Sequence, residues 1–491
     1  MKNLIILSRS SFLAKIQTHL AKEKIRKFFK GKTLEKYSSS IGDVDKTPNA
    51  WQKHGFGIFT NSLSKELISK NVDIVVHSFK DLPVKNSRKT DYVCLERDDP
   101  RDVVLIKRSS LKKKKLIIAT SSPRRKYYLR VLKDYLPYQS FKATTIRGNV
   151  QTRLKNILES KKHDGIFMAK AAIDRIFKYG KKVDPKEFKK FKSMFNNYEK
   201  IILPLSEFPS AAAQGCIALE YRKEDLKTEK ILKKINHISS LEDCSIERKY
   251  LAKWGGGCAL DIGVTIESFL NRKVLFAKGR DAHTKKYFRE KKYLKKTLSK
   301  KVKNIFPAQL SKYQMFKREL FDFSMKLDNK NLLLTRGEYK ETKSLKNASN
   351  LVTSGISTWK KINQKGILIN SSLDGFGENY RNIEDHYKSK KGLFKLTYKG
   401  NSVESKYPII SHYNLVPSIN EFTIDNLFIA ESFYWMSFSA FNLAIQLRPD
   451  ILNKRNSCGP GQTYQQISRF VSKENLNVYL NYEDFKKYEL K

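Results

Sequence analysis

Short apolar runs alternate with helix-spaced apolar residues at the beginning of the chain. Residues 4–7 form an uninterrupted apolar run, which predicts a strand. Residues 9–24 carry apolar side chains at helical spacing, and a second such stretch surrounds residues 63–68. The next apolar run, residues 74–76, is typical of a parallel strand that is buried on both faces. This strand–helix–strand order predicts a βαβ unit with a parallel sheet.

Polar residues follow this last run at once. In the stretch NVDIVVHSFKDLP, residues 71–83, the strand breaks into His77, Ser78, Lys80 and Asp81. Ligands of open α/β sheets bind just beyond the carboxyl ends of such strands, so a carboxylate beside a lysine is a candidate reaction centre. Taken alone, the stretch is better explained as an ordinary strand-to-turn transition with a surface ion pair.

A second α/β unit follows, with residues 116–118 as its strand. Its helix is predicted to begin at Pro123. Three hydroxyl residues precede it and can cap it, namely Thr120, Ser121 and Ser122. Arg124 and Arg125 occupy the first turn, although the helix dipole favours acidic side chains there.

The same arrangement recurs in IRGNVQTRLKNIL, where Asn149 can cap the helix and Arg147 and Arg153 flank its start. Arg9 stands at the start of the first predicted helix. Arginines beside free N–H groups are explained if an external anion, a carboxylate or a phosphate, completes each site. The alternative is that these arginines extend into solvent. For three helices together we favour anion binding.

Length and composition limit the possible classes of protein. A chain of 491 residues predicts roughly three or four domains. No stretch approaches the roughly 18 apolar residues of a membrane span, and the N-terminal apolar run is too short for a signal peptide. The five cysteines are scattered, which argues against a disulfide framework or a zinc ribbon. We therefore expect a cytoplasmic protein that has no membrane partner.

The formal charge of +48 makes nucleic-acid binding the first rival function. Many lysines, however, lie in runs such as residues 112–115 and 300–303, which are typical of solvated faces. No zinc finger, aromatic RNA-binding signature or basic heptad region accompanies them. We expect no nucleic-acid partner.

One cysteine has an unusual setting. The stretch CSIERKYLAKW predicts a helix, and this helix runs into three glycines, residues 255–257, followed by Cys258. Three glycines place the thiol on a sterically open loop. A lone cysteine is more often a small buried apolar residue. A helix, a glycine loop and a cysteine in succession suit a tethering thiol better.

Seven stretches together closely resemble the hydroxymethylbilane synthase family, also called porphobilinogen deaminase, across about residues 1–290. They are LSRSS, HSFKDLP, ERDDPRD, TSSPRR, RGNVQTR, AAAQG and ERKYLAKWGGGCALDIG. The resemblance implies an α/β fold with two hinged domains like type-2 periplasmic binding proteins and a small α/β cofactor domain, followed here by a C-terminal α/β extension. The implied boundaries are residues 1–92 and 194–222 for domain 1, 93–193 for domain 2, 223–298 for domain 3, 299–329 for a linker and 330–491 for the C-terminal domain.

The same resemblance implies a transferase of porphyrin biosynthesis. Four porphobilinogens are joined head to tail, each losing ammonia, onto a dipyrromethane cofactor bound through Cys258, and water releases hydroxymethylbilane. Asp81 is the implied catalytic residue, because a carboxylate stabilises the cation that forms as ammonia leaves and can move protons. The implied partners are porphobilinogen and the linear pyrrole intermediates, a monomer is expected, and no metal is implied.

The pyrrole rings carry acetate and propionate groups, so the growing product is a polyanion that arginines and hydroxyls can bind. The implied cofactor contacts, besides Cys258, are Ser11, Ser78, Lys80, Thr120, Ser122, Arg124, Arg125 and Arg147. The implied substrate contacts are Arg9, Ser121, Arg147, Gly148, Asn149, Arg153 and Gln214.

Some positions depart from the family pattern. Asn61 stands in a stretch where the family commonly has a basic residue, Ala172 replaces a usual glycine, and Asp261 stands where proline is frequent. None of these departures alters the implied aspartate, cysteine or arginines. We therefore still expect activity.

The residues beyond about 300 exceed the family's usual length. The stretch NLLLTR, residues 331–336, predicts a strand that opens a new α/β unit. Later stretches faintly resemble uroporphyrinogen III synthase, with loose matches at Ser437, Ser439, Gly459, Gln462 and Thr463. That enzyme consumes hydroxymethylbilane, so a fusion is chemically sensible. A catalytically inert accessory domain is the alternative, since the segment is shorter than the usual synthase.

Two other classes of function compete with this interpretation. One is a non-enzymatic ligand-binding protein with the same two-domain fold, and the other is a nucleic-acid binder. Neither class explains Asp81, Cys258 and the repeated arginines together.

Overall fold

The computed structural model describes residues 3–39, 60–84, 87–254, 260–270, 272–294, 301–378, 380, 392–400 and 405–491. The chain forms two compact units. Unit 1 comprises Met1–Asp134, Tyr138–Glu267 and Val274–Lys292, and unit 2 comprises Tyr135–Pro137, Ser268–Lys273 and Tyr293–Lys491.

Unit 1 begins with an α/β domain. Its elements are β1 (Leu4–Arg9), α1 (Phe12–Ile25), β2 (Thr33–Ser38), α2 (Asn61–Ile68), β3 (Ile74–Ser78) and β4 (Thr90–Cys94). The next elements are β5 (Asp102–Lys107), β6 (Lys115–Ala119), α3 (Pro123–Leu132), β7 (Ser140–Thr144), α4 (Val150–Glu159), β8 (Gly165–Ala169), α5 (Lys170–Val183), α6 (Pro185–Phe195) and β9 (Tyr198–Ile202). The last elements are β10 (Ile217–Arg222), α7 (Leu226–Lys233), α8 (Ile238–Ala252), β11 (Gly263–Phe269), β12 (Arg272–Arg280) and β13 (Tyr287–Leu294).

Two five-stranded sheets of the same design form the framework of unit 1. The first has the order β2-β1-β3-β10-β4 and the second has the order β7-β6-β8-β5-β9. In each sheet four strands run in the same direction, and one internal strand, β10 or β5, lies antiparallel to its two neighbours. The predicted pair of α/β domains is confirmed. The chain re-enters the first sheet at β10, whereas β9, which also lies within residues 194–222, pairs with β5 in the second sheet.

Helix caps lie where the sequence predicts them. The Ser122 side chain accepts a hydrogen bond from the Arg125 backbone N–H, and the Asn149 side chain accepts one from Thr152. A third cap is formed by Ser11, which accepts from Ala14. These bonds satisfy donors that a helix start leaves unpaired. They also fix the directions in which α1, α3 and α4 leave their loops.

The remaining part of unit 1 contains α8 and a three-stranded sheet of order β11-β12-β13. Helix α8 corresponds to the predicted helix before the glycine loop. Its described continuation ends at Trp254, whose indole Nε1 donates to Asp281 at 2.9 Å. Cys258 and residues 255–257 lie outside the described residues.

Unit 2 is built, over its described residues, on two sheets. Its elements are β14 (Ile305–Phe306), β15 (Phe316–Leu320), β16 (Asn331–Leu334), β17 (Asn350–Thr353), α9 (Ile356–Gln364), β18 (Ser371–Ser372), β19 (Leu393–Tyr398), β20 (Ile409–Pro417), α10 (Glu421–Ile429), β21 (Ser432–Trp435), α11 (Phe438–Leu447), β22 (Arg455–Cys458), α12 (Gln462–Ile467), β23 (Leu476–Val478) and α13 (Tyr482–Glu489). The small lobe is built on β14-β21-β22-β23, and the large lobe on β15-β20-β19-β16-β17-β18. The neighbouring strands of these sheets are parallel except β15, which is antiparallel to β20.

The segment 299–329, predicted as a linker, contributes a strand to each lobe. β14 pairs with β21 in the small lobe, and β15 pairs with β20 in the large lobe. β14 is only two residues long, and β15 is a largely exposed edge strand of sequence FKREL. Neither strand has the apolar alternation that identifies a half-buried strand, so the sequence pattern did not reveal them.

Among the described residues, no helix combines the length and the apolar character needed to cross a bilayer.

Candidate active site

Asp81 lies on the loop that leaves the carboxyl end of β3. The strand ends at Ser78, and a single 3₁₀ turn, Phe79–Asp81, follows it. Phe79 is fully buried, whereas Asp81 is half-buried and faces an open pocket. The polar residues that line this pocket are Arg9, Ser11, Gln17, Thr60, His77, Ser78 and Asp81. The buried phenylalanine therefore anchors the turn that presents the carboxylate.

Arg248 on α8 holds this loop from the neighbouring domain. Its Nη1 donates to the Leu82 carbonyl at 3.0 Å and to the Phe79 carbonyl at 3.4 Å, and its Nη2 donates to the Pro83 carbonyl. The guanidinium also lies 4.8 Å from the centre of the Phe79 ring, a cation–π contact. Arg248 belongs to the ERKYLAKW stretch, but no local sequence pattern distinguishes it from the other basic residues there.

Asp81 and three arginines act electrostatically on a fourth arginine, Arg153. The pKa of Arg153 is lowered to about 10, mainly by burial and also by the charges of Arg125, Arg9 and Arg147, while the charge of Asp81 opposes them. These residues come from two domains, so the structure brings together residues that are far apart in sequence. Four guanidiniums, against Asp81 and the Asp102 carboxylate that pairs with Arg125, leave an excess of positive charge, which anions can neutralise.

A buried carboxylate, Asp102 on β5, fixes two consecutive arginines. Its two oxygens accept from Arg124 Nη1 at 2.6 Å and from Arg125 Nη2 at 2.7 Å. Burial alone would raise the pKa of Asp102, but the two guanidiniums outweigh burial and hold the pKa well below its usual range. The ERDDPRD stretch contained this residue, yet no local pattern indicated that its carboxylate turns towards these arginines.

The two consecutive arginines have different surroundings. Arg124 is 3% exposed, also donates to the Pro209 carbonyl at 3.1 Å, and lies 5.4 Å from the centre of the Tyr128 ring. The contacts of Arg124 thus join it to the protein interior. Arg125 keeps a buried Nε that has no hydrogen-bond partner among the described residues. Of the pair, Arg125 is the one that belongs to the arginine group around Arg153.

Gln214 connects the Asp81 loop to this ion pair. Its Oε1 accepts from Lys80 Nζ at 3.3 Å, and its Nε2 donates to Asp102 Oδ1 at 3.0 Å. The adjacent Gly215 has a φ of +90°, and a Cβ there would lie 2.5 Å from the Asp98 carbonyl oxygen. Only glycine fits this turn without displacing backbone, so the turn holds Gln214 between the two domains.

The other predicted site residues lie on the loops around these groups. Ser78 Oγ accepts from Gln17 Nε2 at 2.9 Å, and Thr120 Oγ1 accepts from the Ser122 backbone N–H at 3.2 Å. Ser121 Oγ donates to the Ile146 carbonyl at 2.5 Å, which joins the loop before α3 to the loop before α4. Gly148, with a φ of +106°, precedes the cap Asn149, and its carbonyl accepts from Arg153 Nε at 2.6 Å.

The described cysteines Cys94, Cys216, Cys244 and Cys458 are buried free thiols. Within the described part of the chain, no group of three or more histidine, cysteine or acidic side chains is arranged to hold a metal ion.

Comparison with known proteins identifies relatives over the first half of the chain. The family model described as "Porphobilinogen deaminase, dipyromethane cofactor binding domain" matches residues 4–230. The porphobilinogen deaminase of Caldicellulosiruptor saccharolyticus is 31% identical over 282 residues, which are 56% of this chain and 89% of that protein. The probable porphobilinogen deaminase of Picrophilus torridus is 33% identical over 261 residues, 52% of this chain and 83% of that protein.

Solved structures resemble the chain more weakly. The periplasmic aliphatic sulphonate binding protein SsuA of Escherichia coli has a TM-score of 0.28 and 11% identity, covering 52% of this chain and 70% of that chain. The sulfate-bound regulatory domain of an OxyR2 mutant from Vibrio vulnificus has a TM-score of 0.29 and 11% identity, covering 49% of this chain and 96% of that chain.

The sequence relatives, in contrast, are matched over most of their own length at more than 30% identity. The domain that the family model describes is the one that binds the dipyrromethane cofactor. The chain belongs to the porphobilinogen deaminase family of tetrapyrrole-biosynthesis transferases.

Proposed function

We propose that unit 1 joins four porphobilinogens head to tail with loss of ammonia and then releases hydroxymethylbilane by hydrolysis. The observation that carries the proposal is that Asp81 lines one pocket with Arg9 and acts electrostatically on Arg153, on which Arg9, Arg125 and Arg147 also act. Such a site can bind a polyanion and still offer one negative group to a developing cation. Porphobilinogen and the linear pyrrole chain are both polycarboxylates.

The residues present fit a dipyrromethane cofactor. Its carboxylates can accept hydrogen bonds from Arg125 and Arg147. The buried Nε–H of Arg125 has no acceptor among the described residues. Ser11, Ser78, Lys80, Thr120 and Ser122 would add hydroxyl and ammonium donors. Cys258 would hold the group through a thioether. When bound, the cofactor supplies the pyrrole carbon to which the first substrate is joined.

Asp81 would act on the incoming pyrrole. As the carbon–nitrogen bond breaks, ammonia leaves and positive charge develops on the ring, which a nearby carboxylate stabilises. A carbon–carbon bond then forms, and the attacked ring carbon loses a proton that the same carboxylate can accept. Both steps need the carboxylate at one fixed place, which the Arg248 contacts to the loop provide.

The arginines would hold the side-chain carboxylates of substrate and product, with Arg9 and Arg153 on the substrate side and Gln214 between the domains. Their planar guanidiniums bind carboxylates in two-point contacts, which fix orientation as well as charge. Gly148, Asn149 and Ser121 shape the loop that presents Arg147 and Arg153. We also propose that unit 1 acts as a monomer in the cytoplasm.

Replacing the tethering thiol tests the cofactor assignment. Purified protein is expected to turn pink-red with an acidic aldehyde reagent for dipyrromethanes, and Cys258→Ser is expected to give no colour because a serine hydroxyl cannot form the thioether. Cys94→Ser, which changes a buried thiol, should keep the colour. A coloured Cys258→Ser protein would refute the tether.

Asp81→Asn tests the catalytic carboxylate. The amide keeps the shape and loses the charge, so turnover of porphobilinogen is expected to fall by about 10²–10⁴ while the dipyrromethane colour remains. The matched control is Asp134→Asn, an exposed aspartate in unit 1. Near-normal turnover in Asp81→Asn would contradict the proposed role.

Arg248 is proposed as a positioning residue for the Asp81 loop. Arg248→Met removes three donors to the loop carbonyls, so kcat is expected to fall by at least roughly tenfold with a smaller change in KM. Arg248→Lys should restore part of kcat. A purely structural role predicts instead that both variants lose soluble, cofactor-loaded protein while the kcat of the loaded fraction stays normal.

We propose a second candidate function for unit 2, the cyclisation of hydroxymethylbilane to uroporphyrinogen III. It is favoured by the contacts between the two lobes, since Ser439 Oγ lies 3.3 Å from the Tyr398 hydroxyl and Gln462 accepts from Lys395. Both contacts involve residues that loosely match the synthase. A catalytically inert accessory domain is the alternative.

The product formed from porphobilinogen by the full-length chain alone distinguishes these alternatives. If unit 2 cyclises hydroxymethylbilane, oxidation and chromatography should show mainly the type III uroporphyrin isomer. Hydroxymethylbilane left to itself closes to the type I isomer, so a predominance of type I would refute the second activity. Adding a separate uroporphyrinogen III synthase to the same reaction serves as the positive control.

A further inference from the structure

A lysine is buried inside unit 2. Lys395 is the third residue of β19, near the middle of the large-lobe sheet, and its side chain is 4% exposed. It is in register with Leu333 on one side and Ile409 on the other. An ammonium group in such a place is costly unless it is paired, and apolar residues of similar size are often as stable or more so. Packing alone therefore does not explain the lysine.

Both described partners of the ammonium come from other parts of unit 2. Nζ forms an ion pair with Glu378, which follows β18, and donates to Gln462 Oε1 at 2.6 Å. Gln462 is the first residue of α12, in the small lobe. The Lys395 charge thus lies where the two lobes touch. The Glu378 side chain is 13% exposed, so it is more accessible than the lysine that it pairs with.

Two glycine turns bring these partners to the lysine. Gly377 has a φ of +88°, and a Cβ there would lie 2.4 Å from the Gly461 Cα. Gly461 immediately precedes Gln462, and Gly377 immediately precedes Glu378. The two backbones can approach this closely only because neither residue has a side chain. The turns follow the carboxyl ends of β18 and β22, the edge at which parallel sheets bind ligands.

We propose that Lys395 is a carboxylate-binding residue of a ligand site between the two lobes, and that Glu378 occupies it as an internal substitute when no ligand is bound. A ligand carboxylate would replace Glu378, which turns outward to solvent. The number of charges around the ammonium stays the same in this exchange, so the buried lysine is never left unpaired. The hydroxyls of Tyr398 and Ser439 would offer further donors at the same junction.

The ligand class is a linear or cyclic tetrapyrrole polycarboxylate, and this identification rests on the second function proposed for unit 2. The charge exchange itself needs only a carboxylate. A structural pin between the lobes is the competing explanation of the same contacts. The two explanations predict opposite effects of removing the Glu378 carboxylate. If Glu378 occupies a ligand site, its removal should strengthen ligand binding. If Glu378 holds the lobes together, its removal should weaken binding.

The test measures calorimetric binding of uroporphyrin III, a stable octacarboxylate, to the full-length chain and its variants. Lys395→Met is expected to weaken binding at this site by roughly tenfold or more. Glu378→Gln is expected to strengthen it by a similar factor, because the competing carboxylate is gone. Lys399→Met, an exposed lysine just beyond the same strand, should have no effect. Uroporphyrin that binds at the arginine group of unit 1 should contribute equally to the measurements on all variants.

Equal weakening by Lys395→Met and Glu378→Gln would overturn the proposal in favour of a pin, and no change in either would overturn it outright. If a single variant fails to fold, the double variant Lys395→Met/Glu378→Gln leaves no unpaired buried charge and should still lack the site. Product analysis separates this proposal from the second function. If the chain gives type I product but binds porphyrin in a manner that depends on Lys395, the ligand site is supported and cyclisation is refuted. If it gives type III product that Lys395→Met does not alter, cyclisation is supported and the ligand site is refuted.

Discussion

Mutual repulsion among arginines is the constraint on which the candidate active site depends. The charges of Arg9, Arg125 and Arg147 add to burial in lowering the pKa of Arg153. Within the described residues the fold restrains this repulsion by fixing Arg125 on the buried Asp102 and by placing Asp81 opposite the group. The charge that remains is suited to a ligand with several carboxylates. Binding and catalysis would then use the same field, since Asp81 is the negative group in a positive region.

Local patterns predicted β1 and β3 of the first domain and the caps of α1, α3 and α4, but they did not predict β2 or β4. The apolar run 74–76 became the centre of β3, and Asn149 capped α4 as its side-chain chemistry requires. Two neighbouring residues show where such reasoning ends. Arg124 and Arg125 look equivalent in sequence, yet Arg124 turns to Pro209 and Tyr128 while Arg125 reaches the arginine group. Their directions depend on Asp102, on a different strand, and no local pattern contains that information.

Unit 2 was less predictable because its strands are short and its key contacts are long-range. A two-residue strand at 305–306 has no periodicity to detect. Lys395 stands in LFKLTY, where a single lysine suggests a solvent-facing position in a half-buried strand. The structure buries it because two glycine turns, distant in sequence, carry Glu378 and Gln462 to its ammonium group. The burial of the Lys395 charge therefore depends on how the two lobes pack, which no local sequence pattern shows.

The insertion of β10 into the first sheet of unit 1 has a consequence for how the protein is made. β10 lies between β3 and β4, so the first sheet lacks a central strand until residues 217–222 have been synthesised. During translation, β1 to β4 therefore emerge from the ribosome before β10 is available to complete their sheet. Contacts between residues so distant in sequence slow folding. The second domain is complete at residue 202 and can therefore fold before β10 is synthesised. Once folded, it can keep β1 to β4 close to the segment that carries β10.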